Sequence, residues 1–250
     1  MQDPSQCFIF MNCLFGYVLT NLSRFLLLPF IISVSLNALA EESDESPNFA
    51  FGLGYGLLNE KSLMNIDFKI NIPLNDTFST QVLLNSNYLL TGSSRDSFAQ
   101  SEFTSNWFLK SEYVRLGLGV GVSELEPMDE TLASEREVSG QFMGEVFIGD
   151  VAFTTNYVSA DITLSNITSS RFGLGYYLNE DHRVSLFREK YNGNQIGWRL
   201  ETYYQPKKYR QLGRVGLIVR TGKDYDYAGA MIEYYFDHAR SLQQREREFH

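Results

Sequence analysis

The chain has 250 residues, 44% of them hydrophobic and 20% charged, with Gly 19, Pro 6 and Cys 2. That is enough for one or two cored domains, and it excludes a disulfide mini-scaffold, a collagen and a disordered tail. The formal charge of -9 argues against nucleic acid, whose phosphates call for clustered basic residues, and the long apolar run confined to residues 1–40 excludes a bundle of membrane helices.

Residues 25–36, FLLLPFIISVSL, follow Arg24 and precede Ala38-Leu39-Ala40 and then the acidic EESDES. This is the layout of a secretory signal with an A-x-A cleavage site, too short to span a bilayer as a helix. An uncleaved anchor drawing on Cys7 to Val18 is the competing reading, and Met11 offers a second start. Both cysteines, Cys7 and Cys13, lie in this leader, so the chain after Ala40 has no thiol. Disulfides, thiolate catalysis and cysteine-ligated zinc are thereby removed from it. The expected organisation is a signal peptide over 1–40, a short acidic linker over 41–47, a barrel over 48–236 and a charged tail over 237–250.

From residue 48 onward the pattern has period two, which sends alternate side chains to opposite faces of a strand. In Met64-Asn-Ile-Asp-Phe-Lys-Ile-Asn-Ile72 every even position is apolar and every odd one polar, a pattern that a helix would smear around its surface. Strands are predicted near 48–58, 63–73, 78–90, 98–109, 112–122, 139–148, 151–158, 169–178, 183–191, 195–204, 212–221 and 227–236. Most have the length that a tilted strand needs to cross a bilayer.

The predicted connections sort by parity. Pro73 to Thr77, Lys110-Ser111, Gly149-Asp150, Asn179 to His182 and Gln205 to Gln211 fall at one end, whereas the long Ser123 to Val138 and Ser159 to Thr168 fall at the other. Outer-membrane barrels show this asymmetry, with short periplasmic turns and longer outer loops.

The two faces also differ. Phe49, Phe51, Leu53, Tyr55 and Leu57, then Val114, Leu116, Leu118, Val120 and Val122, then Ile196, Trp198 and Leu200 share one face; Ala50, Gly52, Gly54, Gly56, Arg115, Gly117, Gly119, Gly121, Gly197, Arg199 and Glu201 share the other. The glycines suggest open space inside. Aromatic residues fall where interfacial girdles need them: Phe49, Phe78, Trp107, Phe153, Tyr204 and Phe236 in a lower belt, and Tyr55, Tyr88, Phe142, Tyr157 and Phe172 in an upper one.

With its leader, its two-faced strands and the last strand Ala228-Gly-Ala-Met-Ile-Glu-Tyr-Tyr-Phe236, the chain resembles a small bacterial outer-membrane β-barrel protein. The resemblance implies an all-β fold, a closed antiparallel transmembrane up-and-down β-barrel of about twelve strands, in the outer membrane of a Gram-negative bacterium. Twelve-stranded members of that class include acidic-sugar channels, a phospholipase and autotransporter barrels. One departure is the tail, DHARSLQQREREFH, beyond Phe236. Its alternating Arg and Glu suit a solvated helix, expected to stand exposed in the periplasm.

Repeated Phe51-Gly-Leu-Gly-Tyr and Phe172-Gly-Leu-Gly-Tyr reflect shared strand grammar, and Gly117-Leu-Gly-Val-Gly has no following helix to make a phosphate loop. The acidic run Glu124, Glu126, Asp129, Glu130, Glu135 and Glu137 lacks the ligand spacing of a calcium loop and reads as a solvated surface, so no metal and no cofactor are expected. Outer-membrane hydrolases of this architecture use a histidine near the outer rim. Here His182 falls in a predicted periplasmic turn, His238 beyond the last strand and His250 at the end, so catalysis is not expected.

What remains is the inward face, with Lys69, Arg115, Arg171, Arg199, Arg214 and Arg220 against Asp67, Glu102, Glu145, Glu189, Glu201 and Glu233. Balanced signs point to a small pore or a structural surface protein with a mixed-charge lumen, either a narrow wet channel or one closed by ion pairs. The expected partners are outer-membrane lipid and lipopolysaccharide; the sequence identifies neither a solute nor an oligomeric state. Arg188 and Lys190 would face lipid under strict alternation, which requires a bulge or a place at the upper interface. The alternatives are a lipid or peptide hydrolase at the rim and, with the faces inverted, a soluble periplasmic barrel that holds an apolar ligand.

Overall fold

Alternation is realised as twelve antiparallel strands: β1 (Asn48–Leu58), β2 (Lys61–Pro73), β3 (Phe78–Leu90), β4 (Phe98–Lys110), β5 (Val114–Pro127), β6 (Glu135–Ile148), β7 (Val151–Val158), β8 (Ser170–Asn179), β9 (His182–Tyr191), β10 (Gln195–Tyr204), β11 (Arg214–Gly222) and β12 (Asp226–Tyr235). This computed structural model describes residues 47–93, 96–129, 131–159, 170–191, 195–210, 212–236 and 240–248. The expected signal peptide, the linker up to residue 46, His238 and His250 lie outside the described residues.

Each strand pairs with its sequence neighbour, and β1 pairs with β12 from Ala50↔Tyr235 to Leu58↔Tyr227, so the sheet closes into a barrel. Closure matters physically, because a sheet in hydrocarbon cannot leave a row of unpaired backbone groups at an edge. Among the described residues a register shift lies between Tyr177 and Asn179 on β8. Arg188 and Lys190 are therefore not turned inward by a bulge: β9 runs in register against β10, and both side chains are exposed.

The faces point as an outer-membrane barrel requires. Leu118 is 63% exposed and Trp198 51%, whereas Glu189, Glu201 and Glu233 are buried. This overturns the inverted soluble barrel, which needs the Phe and Leu residues packed inward. Phe49, Trp107, Phe153, Tyr204 and Phe236 of the lower belt are exposed, as are Tyr55, Phe142, Tyr157 and Phe172 of the upper; Tyr88 is buried and stands apart.

Turn chemistry is local. Asn59 and Glu60 both take positive φ, 49° and 66°, forming the tight turn between β1 and β2 that matches the twist of the flanking strands. Asn75 Oδ1 accepts from the Thr77 and Phe78 amides at 3.0 and 2.8 Å and sets the β2–β3 turn.

Three expectations require correction. The connection expected over Ser123 to Val138 is shorter, because β5 and β6 keep pairing to Leu125↔Glu135 and an outward Arg136–Glu124 ion pair at 3.0 Å spans them. Strands that project beyond the barrel body thus take over much of the loop. Glycine on β5 leaves no open space either: a Cβ on Gly117 would meet Phe108 Cε1 at 2.5 Å, and the Asn106 side chain already fills the place beside Gly119. Lastly, the tail is not solvated. Its helix α1 (Leu242–Glu248) forms as expected but packs into the barrel end that carries the termini, with Leu242 0%, Arg245 3% and Glu246 7% exposed. Charge alternation alone suggested water; the barrel guanidiniums of Arg115, Arg183 and Arg214, which all donate to Glu246, give the helix a better place.

Candidate functional site: a two-walled polar lumen

Inward positions of β2 to β6 build a wall of amides and hydroxyls. Asn65 Nδ2 donates to Asn87 Oδ1 at 2.9 Å, Gln81 Nε2 to Asn71 Oδ1 at 2.8 Å, Asn106 Nδ2 to Gln81 Oε1 at 3.1 Å, and Gln100 Nε2 to Ser123 Oγ at 3.0 Å. Two carboxylates interrupt this wall. Glu102 accepts from Thr104 Oγ1 at 3.1 Å and Gln141 Nε2 at 3.2 Å, and Asp67 accepts from Asn85. Burial without a partner would leave each of these groups desolvated, which is why they interlock.

The opposite wall, from β8 through β12 to β2, is ionic. Arg220 Nε bonds Glu189 at 2.9 Å, and Glu189 lies 3.8 Å from Arg199, which bonds Glu201 in turn. Glu201 also meets Arg171 at 3.9 Å and Arg183 at 3.6 Å. On the other branch Arg214 holds Glu233 at 2.8 Å and Glu233 reaches Lys69 at 3.4 Å. The remaining two predicted charges, Arg115 and Glu145, pair at 3.0 Å beneath α1. All twelve predicted lumen charges thus point into the barrel, but they do not form one mixed lining: ten lie in the ionic ladder or beside α1, and only Asp67 and Glu102 sit among the amides.

Two members of the ladder escaped the sequence reading. Arg183 opens the strand predicted over 183–191 and shares its inward parity with Glu189, so the alternation already placed it on the inner face. Glu246 could not be placed that way, because it belongs to α1. Its carboxylate accepts from Tyr177 Oη at 2.7 Å, Arg183 Nη1 at 2.8 Å and Arg214 Nη1 at 2.5 Å, while Arg115 donates to its backbone carbonyl. The Tyr203 ring braces both arginines, with the Arg214 guanidinium 4.3 Å and the Arg183 guanidinium 5.3 Å from its centroid.

A chamber of about 300 Å³ lies between the walls, lined by Asn65, Asp67, Asn85, Arg171, Arg199 and Glu246 among others. At the far end from the termini, Leu58, Leu63, Leu89, Tyr191 and Tyr225 pack together inside the barrel, and Tyr225 Oη donates to Glu189 at 2.8 Å. The near end holds α1.

Several contacts seat that helix. Ser241 Oγ accepts from the Gln244 amide at 3.2 Å as an N-cap, Gln205 Nε2 donates to the Arg240 carbonyl at 2.6 Å, and the Arg245 guanidinium stacks 3.8 Å above Tyr235. Full burial of Leu242 contributes about 1.5–3 kcal/mol. Outside the barrel wall, Arg210 grips Asp181 with Nε and Nη2 at 3.0 and 2.6 Å, and these bonds hold the guanidinium above its ordinary pKa.

His182 opens β9 at the same end, with Nε2 3.0 Å from Thr202 Oγ1 and its ring edge-on to Tyr204 at 5.8 Å. Among the described residues no carboxylate is within ion-pairing distance of it. The described residues also contain no cluster of His, Cys, Asp and Glu able to hold a metal ion.

No protein-family model matches this chain, and no curated protein sequence does. Among solved structures it is similar to the KdgM porin, with a TM-score of 0.53 and 9% identity over 74% of this chain and 98% of that one. The KdgM porin in complex with disordered oligogalacturonate gives 0.50 and 9% over the same shares, 74% and 98%. Outer membrane phospholipase A from Escherichia coli gives 0.48 and 14% over 81% and 96%. At such identities the fold alone is shared, and that fold is the twelve-stranded, porin-like barrel of the bacterial outer membrane.

Proposed function

We propose that the chain is a non-enzymatic pore of the outer membrane, exported by a cleaved signal peptide, which admits small hydrophilic solutes through a lumen of mixed charge. The observation that supports this reading is the chamber itself: a closed ring of strands with apolar residues outward encloses about 300 Å³ lined by amides, arginines and carboxylates. A purely structural barrel has no need of a hollow, since its inward side chains can fill the interior. With the start of β1 and the end of β12 at the α1 end, that end is read as periplasmic, and the Leu58–Tyr225 cluster faces outside. Lipopolysaccharide and phospholipid then surround the girdles.

Planar-bilayer conductance of the refolded protein tests the reading. Stepwise currents with little preference between potassium and chloride are expected from walls of both signs. A bilayer that stays silent with the intact chain and with a chain ending at Phe236 would dispose of the pore.

A further inference from the structure

We infer that Arg183, Arg214 and Tyr177 form a carboxylate-binding niche at the α1 end of the lumen, that Glu246 occupies it as a built-in ligand, and that a carboxylate-bearing solute displaces the helix by taking its place. This rests on the pore reading for its consequence, but the niche itself is a matter of geometry.

The ionic ladder shows why the place is a binding site and not merely a contact. From Arg220 the signs alternate through Glu189, Arg199, Glu201 and Arg183, and from Lys69 through Glu233 to Arg214. Glu246 links the two branches, bonding the last arginine of each. With Glu246 seated the two guanidiniums are 11% and 10% exposed and flank one tyrosine ring; without it Arg183 keeps Glu201 and Arg214 keeps Glu233, but the place between the two guanidiniums loses its anion. Three donors then converge on one empty position from β8, β9 and β11, whose backbones are fixed by the barrel. Preorganised, forked and charge-assisted donors of this kind suit a carboxylate.

The balance of charge agrees. Around the chamber stand Lys69, Arg171, Arg183, Arg199, Arg214 and Arg220, six cations, against Asp67, Glu201, Glu233 and Glu246, with Glu189 behind them. Removing Glu246 changes five anions to four and leaves the chamber with two positive charges in excess. A withdrawn helix therefore exposes a cationic lumen, although the closed one is nearly neutral.

The occupant is also replaceable. α1 has only seven residues, and its one fully buried apolar side chain is Leu242. Such a helix holds its place through a high effective concentration and its polar bonds to the barrel, and a free carboxylate competes by mass action for the three that reach the Glu246 carboxylate.

The test uses the full chain with Glu246→Gln, and succinate as the probe, with neutral succinamide and sodium chloride of equal ionic strength as controls. In planar bilayers Glu246→Gln is expected to raise the open fraction about tenfold, the scale set by losing charge-assisted bonds, while each open channel keeps the selectivity of the open wild type. Succinate on the periplasmic side is expected to open the wild type saturably, and succinamide to leave it closed. In detergent, succinate should raise the melting temperature of Glu246→Gln, and adding Arg183→Gln should abolish that shift. Gating unchanged by Glu246→Gln overturns the latch; a melting temperature indifferent to succinate overturns the niche. If every form is silent in the bilayer while the succinate shift persists, the niche stands and the pore reading fails. Should Glu246→Gln not reach the heat-modifiable folded form, the chain ending at Phe236 takes its place, because the β1–β12 closure does not use the tail.

Discussion

The two walls of the lumen solve the same problem in different ways. Both bury polar side chains inside a closed sheet, yet on the amide wall single bonds pass from one neighbour to the next, as in Gln100 to Ser123 or from Asn106 through Gln81 to Asn71. On the ionic wall a single carboxylate such as Glu201 serves Arg171, Arg183 and Arg199 from three strands. Neutral groups can therefore be satisfied pairwise, whereas charges of long reach are satisfied only as a set. The lesson is that one half of the barrel is modular and the other cooperative, and α1 docks where the cooperative half lacks a member.

The largest expected effect follows from breaking the set. Glu201→Ala leaves three guanidiniums buried with fewer anions, and the loss of one partner of a buried pair costs about 3–5 kcal/mol. Denaturant unfolding from lipid vesicles measures it. A cost near that of a surface pair would mean that the ionic wall is as modular as its neighbour, and the comparison would fail.

The amide wall gives the smaller counterpart. Asn106, 2% exposed, donates to Gln81, which in turn donates to Asn71. Asn106→Leu removes the donor to Gln81 Oε1 and should cost about 1–3 kcal/mol by the same unfolding measurement. Combined with Glu201→Ala, the two losses should add, since the residues share no partner. A coupling as large as either single effect would show that the walls are one network.

How much of this was legible in the sequence follows from the range of each interaction. The alternation in Met64–Ile72 is a property of one strand, so it announced β2 and its faces directly. The inward parity of Arg199, Glu201, Arg214 and Glu233 was legible for the same reason. Which of them would meet was not, because the Arg214–Glu233 bond depends on the β11–β12 register, and Lys69–Glu233 on the closure of β1 against β12. The helix was a partial success. The Arg and Glu alternation of the tail announced a helix, and α1 forms there with Ser241 Oγ accepting from the Gln244 amide at its start. Its docking was invisible, since Glu246 finds partners on β8, β9 and β11 that lie 69, 63 and 32 residues earlier. The glycines misled for a related reason: a bare position on β5 says nothing about whether the facing Phe108 or Asn106 will lean over it.

The smallest expected effect lies outside the lumen and sharpens the contrast between the faces. Arg188 and Lys190 are exposed on the outward side of β9, where Arg188 has Phe172 and Trp198 as its cross-strand neighbours. Both rings are more than half exposed, at 63% and 51%, as expected of residues in a girdle. A cation at that level keeps its head among phosphate and water while its stem lies along the rings, and its cost falls to about 0–1 kcal/mol compared with roughly 2–4 at the bilayer midplane. Arg188→Leu and Lys190→Leu should therefore each change the unfolding free energy by no more than about 1 kcal/mol. A stabilisation of several kcal/mol on removing either charge would place β9 deeper in the hydrocarbon and shift the whole barrel relative to its girdles.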